Sequence, residues 1–218
     1  MIASSIFRFI QLGTCLICGS FRISSKGLCS FCEKYILKPD CEIQTNEIDG
    51  IKVISLIQWL PGESDAQSKW ILSLKNAPPL KWQGLAQDFA TKGIQTYSIK
   101  KNTYLISCPN KDLKRVHAQL WTQALSDVLQ IPILNILEVG KVSNEKQNKL
   151  TRLERQNRSF RLIENITRSD AASYIFADDI VTTGATMKAA WHALGRPENF
   201  QVWCPVIRAR LRNSKVLI

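Results

Sequence analysis

The sequence predicts an α/β fold in which helices cover a mostly parallel sheet. Short apolar runs alternate with amphipathic stretches along the chain, and this alternation is typical of parallel strands joined by crossover helices. The strands are predicted at residues 53–60, 104–108, 133–137, 174–177 and 200–207. The helices are predicted at residues 65–75, 80–91, 112–130 and 185–194. In such sheets ligands bind beyond the carboxyl ends of the strands.

In the first half of the chain, particular residues indicate which face of each predicted element is buried and where the element ends. Residues 53–60 are rich in Val, Ile and Leu, as a buried strand would be, and Trp70 and Leu74 share one face of the helix that follows. Gly93 closes the second helix, because glycine readily adopts the left-handed conformation at helix ends. Pro109 stops the next strand, since proline lacks the N–H that a sheet ladder needs.

The later elements follow the same pattern. The longest predicted helix carries a continuous apolar stripe, and it is followed by two short apolar strands, a helix and a final strand. The stripe consists of Leu113, Val116, Leu120, Trp121, Ala124, Leu125, Val128 and Leu129. Trp70, Trp121, Trp191 and Trp203 fall at core positions of these elements and are predicted to be core residues, whereas Trp59 and Trp82 are undecided.

The strand at residues 174–177 runs directly into two adjacent carboxylates, Asp178 and Asp179. At a sheet edge such carboxylates can accept hydrogen bonds from vicinal hydroxyls or face a hydrated Mg²⁺. The small residues that follow open a helix, and converging N–H groups at such a turn suit a phosphate. An N-capping aspartate would explain one carboxylate but not the whole pattern. The sequence therefore predicts a ribose 5-phosphate site, with a phosphate loop made of Thr182, Thr183, Gly184, Ala185 and Thr186.

The chain is strongly basic, and the basic residues are concentrated in three stretches. In all, 29 Lys and Arg against 18 Asp and Glu give 218 residues a formal charge of +11, which favours polyanionic partners. The stretches are residues 100–117, 141–168 and 205–218. The first two follow predicted strands, so we expect them to rim the mouth that contains the carboxylates. The polar and basic composition of residues 141–160 predicts a mobile basic flap, or alternatively a solvated helix of paired charges. The candidate residues for pyrophosphate or nucleic-acid phosphate are Lys111, Lys114, Arg115, Lys149, Arg152, Arg155 and Arg158.

Four of the seven cysteines form two Cys-x-x-Cys pairs separated by ten residues. Two such pairs complete the tetrahedral thiolate shell of a structural Zn²⁺, and a segment of this size needs such a staple in order to fold. Disulfides, a redox dithiol and plain core thiols are the alternatives, and zinc is favoured over them. The predicted ligands are Cys15, Cys18, Cys29 and Cys32. We therefore expect a zinc module at residues 1–45, before an α/β domain at residues 46–218.

The apolar start of the chain is predicted to be a short amphipathic helix. Arg8 interrupts the apolar run and Thr14 precedes the first cysteine, so neither a signal peptide nor a lipidated site is expected. No stretch of the sequence has the roughly 20 apolar residues that a membrane-spanning helix needs. A cytoplasmic location is expected, with peripheral membrane contact through the apolar face as a minority alternative.

The strand that runs into Asp178 and Asp179 and then into a Thr-Gly-x-Thr loop resembles the PRPP-binding motif of the phosphoribosyltransferase family. With the four-cysteine start, the chain resembles the ComF family of bacterial competence proteins. Residues 7–19, 72–75 and 147–160 resemble further segments of that family. Residues 115–119 depart from it, because they keep only Arg115 and Gln119 of its Arg-Gly-Phe-Asn-Gln sequence.

The resemblance implies a type I phosphoribosyltransferase-like fold, with Asp178 and Asp179 as the catalytic-site carboxylates that hold the ribose hydroxyls. It implies zinc, Mg²⁺ and PRPP as ligands. It also implies a role in DNA uptake and natural transformation through binding of single-stranded DNA, together with a competence helicase or other uptake machinery. The alternative is an active phosphoribosyltransferase of nucleotide or nucleoside metabolism.

Overall fold

The computed structural model describes eleven segments of the chain: residues 14–15, 17–21, 23–24, 27–37, 43–60, 65–75, 77–93, 99–109, 116–140, 160–163 and 171–208. Their helices are α1 (Ser30–Leu37), α2 (Asp65–Leu74), α3 (Pro79–Gly93), α4 (His117–Leu129) and α5 (Ala185–Ala193). Their strands are β1 (Gln44–Ile48), β2 (Ile51–Trp59), β3 (Thr103–Ser107), β4 (Leu137–Val139), β5 (Phe160–Leu162), β6 (Ser173–Ala177), β7 (Ile180–Val181) and β8 (Phe200–Arg208).

The main sheet is mostly parallel, as the sequence predicts. Its strand order is β1-β2-β8-β6-β3, and β7 also pairs with β8. Only β1 runs antiparallel to its neighbour, β2. The α/β fold class is thus confirmed. Within the described residues, none of the helices combines the length and the apolar character needed to cross a membrane.

The edge of the sheet beyond β3 differs from the prediction. Residues 133–137 are not one strand, because only Ile133 forms a parallel bridge, to Leu105. The N–H of Leu134 donates to the carbonyl of Leu105, and the chain then leaves the sheet to form β4, which pairs antiparallel with β5. The longest predicted helix begins at His117, and the part predicted before it lies mainly outside the described residues.

Strand β1 and its hairpin with β2 were not predicted. The turn consists of Asp49 and Gly50, both with positive φ (51° and 79°). Two consecutive positive φ values are typical of the type I′ turn, whose twist matches that of the flanking strands. The Asp-Gly pair was therefore a legible hairpin signal in the sequence.

The core has one layer on each face of the sheet. On one face the aromatic residues Trp82, Phe89, Trp121 and Trp203 pack together, with Phe89 and Trp203 ring centroids 5.1 Å apart. On the other face α5 buries its apolar side chains against β6 and β8. Trp70, Trp121 and Trp203 are almost fully buried, which confirms them as core residues. Trp82, undecided from sequence, is also core, whereas Trp191 is only half-buried.

The cysteine-containing segment shares its apolar interior with the sheet. Leu28 and Ile36 are buried in the same cluster as Trp82 and Leu85 of α3. Burial lowers the pKa of Lys81 on α3, while the charge of Cys15 acts in the opposite direction. The two parts are therefore packed against each other, and the predicted boundary after residue 45 falls inside β1.

Candidate functional site

Strand β6 delivers the first of the two carboxylates to the edge of the sheet. All five residues of β6 are buried, and Asp178 follows the last of them at 8% exposure. The N–H of Asp178 donates to the carbonyl of Trp203 at 3.3 Å. Burial, and then the charge of Asp178, raise the pKa of the neighbouring Cys204 thiol. This thiol is therefore neutral at physiological pH.

The second carboxylate, on Asp179, is more accessible. The backbone N–H of Asp179 donates to Oδ1 of Asp178 at 3.0 Å. The chain then adds β7, whose two residues pair with Val206 and Ile207 of β8. This short strand holds the following loop against the carboxyl end of the sheet.

The five predicted phosphate-loop residues lead into the N-terminus of α5. Thr182 and Thr183 are exposed, and the N–H of Ala185 donates to Thr183 Oγ1 at 3.4 Å. Gly184 is the N-cap residue of α5, and it has no side chain that could cap the helix. The first turn of α5 carries no acidic residue. A helix start whose N-cap residue has no capping side chain, and whose first turn holds no carboxylate, favours an anion through its N–H groups and its positive dipole end.

Gly184 cannot be replaced without strain. Its φ is 79°, and a Cβ at this position would lie 2.9 Å from Met187 Cε and 3.1 Å from Ile48 Cγ2. Both the backbone conformation and the close packing therefore require glycine.

The β1–β2 hairpin braces this loop, and sequence reasoning missed it. Ile48 contacts the Gly184 position, and Asp49 forms an ion pair with Lys188 of α5. The contact joins residues more than 130 positions apart, so no local pattern could have indicated it.

The structure brings Asp178 and the five loop residues into one cleft lined by Asp178 and residues 180–187. Asp179 adjoins this lining. The cleft has a volume of only about 20 Å³, close to the space that one water molecule needs. It can accommodate the oxygens of an anionic group, whereas any larger part of a ligand would lie over the sheet edge.

The seven predicted phosphate-binding cations all lie outside the described residues. Two other polar side chains occupy the adjoining end of β3. Gln119 Nε2 donates to the carbonyl of Cys108 at 3.1 Å, and Ser107 pairs in register with Ala177. Gln119 Oε1 and Ser107 Oγ are buried without a partner in the part of the chain that the structure describes. They are the polar atoms at this edge that the sequence did not single out.

The four cysteines predicted as metal ligands meet in space. Their Sγ atoms all lie within 4.8 Å of one another, and those of Cys18 and Cys29 are 3.5 Å apart. With Zn–S bonds of about 2.3 Å, tetrahedral sulfurs are roughly 3.8 Å apart, so the donor set and the spacing fit zinc.

The thiols of this cluster differ in acidity. Burial opposes ionisation of Cys15, but backbone N–H groups of Cys18, Cys29 and Ile17 donate to its sulfur and lower its pKa to about 6. Burial, and then contact with Cys29, raise the pKa of Cys32. The lowered pKa of Cys15 favours its thiolate, the form that binds metal, near neutral pH.

The fold is similar to that of adenine phosphoribosyltransferase from Saccharomyces cerevisiae, whose structure was solved with an imino-altritol bisphosphate and adenine. The TM-score is 0.40 and the sequence identity 15%, over 80% of this chain and 88% of that chain. Similarity at this level specifies neither a ligand nor a reaction. No protein-family model matches the sequence. No curated protein sequence matches it significantly. The resemblance to the ComF family accordingly stays a prediction.

Proposed function

We propose that this chain is a ComF-like protein that binds a PRPP-type ribose phosphate at the carboxyl edge of its sheet and handles single-stranded DNA in the cytoplasm. The observation that supports this ligand is the junction of Asp178 and Asp179 with the start of α5, where the N-cap residue Gly184 has no capping side chain. Carboxylates accept hydrogen bonds from ribose hydroxyls, and the helix start favours the 5-phosphate. Mg²⁺ would be held beside the carboxylates.

Two further features support DNA as the partner. The net charge of +11 favours a polyanion. In the cysteine segment, Phe21, Phe31 and Tyr35 are 84%, 79% and 67% exposed, and the last two are four residues apart on α1. Exposed aromatic rings on one helix face can stack on unpaired bases. Uptake machinery such as a helicase would be a further partner, and the N-terminal apolar residues could contact a membrane.

The cysteine cluster would hold a structural zinc ion. Zinc bound there supplies the cross-link that positions Leu28 and Ile36 in the shared core. In this proposal residues 1–45 form the zinc module and residues 46–218 the ribose-phosphate domain, and the two share β1 and one apolar core.

The ligand is tested by measuring PRPP binding by calorimetry with Mg²⁺ present. An Asp178→Asn/Asp179→Asn variant should lose about 100-fold or more in affinity, because each hydrogen bond to a charged group is worth about 1.5–3 kcal/mol. Asp127→Asn, an exposed change of the same kind on α4, should leave affinity unchanged. Equal affinity in the double variant and the wild type would contradict the site.

DNA binding is tested with an oligo-dT strand at several salt concentrations. Affinity should fall steeply with salt, with a slope of about −0.7 for each phosphate neutralised. Phe31→Ala/Tyr35→Ala should weaken it roughly ten-fold or more, whereas Leu72→Ala, also at an exposed apolar residue, should not. Salt-independent binding, or no binding, would rule out the DNA role while leaving the PRPP result intact.

An active phosphoribosyltransferase is the second candidate, favoured by the same pair of carboxylates. Asp178 and Asp179 would orient the ribose, while Mg²⁺ and cations such as Lys111 or Arg115 would stabilise the leaving pyrophosphate. Release of pyrophosphate with a nucleobase or amine acceptor would establish it. Failure to release pyrophosphate, in a preparation that binds PRPP, would exclude it.

A further inference from the structure

Strands β2 and β8 end side by side at the carboxyl edge of the sheet, in Trp59 and Arg208. These two residues are partners in the parallel register of the strands. Strand β7 pairs with the other side of β8, and its last residue, Val181, is in register with Ile207. Thr182, the first residue of the phosphate loop, therefore lies beside Arg208. Since neighbouring strands are about 4.8 Å apart, the loop begins roughly 10 Å from Trp59, with Arg208 between them.

The side chains of Arg208 and Trp59 interact across the two strands. The guanidinium carbon Cζ of Arg208 lies 5.9 Å from the centre of the Trp59 ring, within the range of a cation–π interaction. Arg208 is exposed, and no carboxylate in the part of the chain that the structure describes forms an ion pair with it. Its guanidinium group is therefore accessible to a ligand.

The Trp59 ring, which the sequence left undecided, is held in place by the fold. Its indole N–H donates to Oγ of Ser68 on α2 at 3.1 Å, and the partly buried ring packs against the core. A ring fixed in this way supports the guanidinium group next to it. Planar guanidinium groups and aromatic rings are the groups on which proteins stack unpaired nucleobases.

The phosphate loop and the Trp59–Arg208 pair thus offer two different binding groups at one edge of the sheet. The start of α5 favours a phosphate, and the pair favours a flat ring and adds a positive charge. A nucleoside 5′-phosphate carries a phosphate and a flat base on one ribose. A plain sugar phosphate would leave the pair unused.

We propose that Trp59 and Arg208 stack on the base of a nucleoside 5′-phosphate whose phosphate lies on the loop at residues 182–186. The nucleotide is either free or the 5′-phosphorylated end of a DNA single strand. This base platform rests on the ribose-phosphate site of the proposed function, and it adds the residues that recognise a base.

Calorimetry on the full chain with Mg²⁺ tests the platform by comparing AMP with ribose 5-phosphate. AMP should bind about ten-fold or more tightly, because only AMP has a base that can stack. Equal affinities would overturn the platform and leave the ribose-phosphate site intact. No binding of either probe would refute both the ribose-phosphate site and the platform.

Two oligo-dT strands, one with a 5′-phosphate and one with a 5′-hydroxyl, distinguish the sources of the nucleotide. Binding of the phosphorylated strand that is about ten-fold tighter supports the strand end as the ligand. Equal binding of the two strands, together with the preference for AMP, supports a free nucleotide.

Variants then locate the base. Trp59→Leu/Arg208→Lys keeps the net charge but removes both planar groups. In a chain shown by thermal melting to be folded, its AMP affinity should fall to that of ribose 5-phosphate, whose own affinity should not change.

Trp191→Leu/Arg196→Lys is the matched control, because these residues form the same kind of pair, 5.7 Å apart, near the C-terminal end of α5. It should leave both affinities unchanged. Arg208→Lys alone changes only an exposed side chain and should lower the preference for AMP several-fold. An unchanged preference in Arg208→Lys, or equal losses in the two double variants, would refute this location.

Discussion

Replacing Gly184 by alanine tests the phosphate loop against a matched glycine elsewhere in the chain. Gly184 and Gly50 both have a φ of 79°, but only Gly184 has neighbours within 4 Å of a new Cβ. Alanine in this conformation costs about 1–2 kcal/mol, offset by about 0.4–1 kcal/mol from the stiffer unfolded chain. Gly50→Ala should therefore lower the free energy of unfolding by about 1 kcal/mol.

Gly184→Ala adds a packing cost to this backbone cost. The 2.9 Å contact is with Met187 Cε, the flexible end of a side chain, so it can be relieved, whereas the 3.1 Å contact with Ile48 Cγ2 involves a β-branched residue on β1. Overpacking typically costs about 1–3 kcal/mol, so together with the backbone cost the total destabilisation should be about 2–4 kcal/mol.

Urea unfolding measures both stabilities, and calorimetry measures PRPP affinity in the same samples. We expect Gly184→Ala to lose PRPP affinity by about ten-fold or more, because the loop must shift away from Ile48, and Gly50→Ala to retain it. Equal destabilisation by the two changes would refute the packing argument. Unchanged PRPP affinity in Gly184→Ala would refute the assignment of this loop to the phosphate.

Three further changes test the packing around the site. Removing zinc with a chelator, or changing Cys29 to serine, should lower the melting temperature of the whole chain by about 6–12 °C, which corresponds to a loss of about 3 kcal/mol in the free energy of unfolding. The reason is that the cysteine segment shares the sheet core. An unchanged main transition in calorimetry would show that the segment folds separately. Trp121→Phe should lower the free energy of unfolding in urea by about 2–3 kcal/mol, since it leaves a cavity and removes the 3.1 Å hydrogen bond to the Trp203 carbonyl. Trp191→Phe should cost less, because Trp191 is only half-buried. A larger loss in Trp191→Phe than in Trp121→Phe would contradict this account. A double-mutant cycle with Lys188→Met and Asp49→Asn should give a coupling free energy below about 1 kcal/mol, because both side chains are substantially exposed. A larger coupling would mean that the ion pair stabilises the contact between the hairpin and the loop more than Ile48 does.

The features that the sequence predicted are those carried by neighbouring residues. The apolar run before Asp178, the small residues before α5 and the two Cys-x-x-Cys pairs are local patterns, and each constrains the backbone wherever the segment lies. The same holds for the alternation that predicted a parallel sheet. The predicted extent of the strand at residues 133–137 was wrong, because only Ile133 pairs with β3.

The features that the tertiary structure decided are contacts between distant segments. The strand order β2-β8-β6 joins the Asp178 N–H to the Trp203 carbonyl, and the packing of α5 sets Gly184 against Ile48. The same order pairs Tyr174 of β6 with Phe200, the first residue of β8. The sequence by itself thus determined which residues are suited to bind a phosphate or a metal. Only the fold decided what supports these residues, because that support depends on side chains that meet across the sheet.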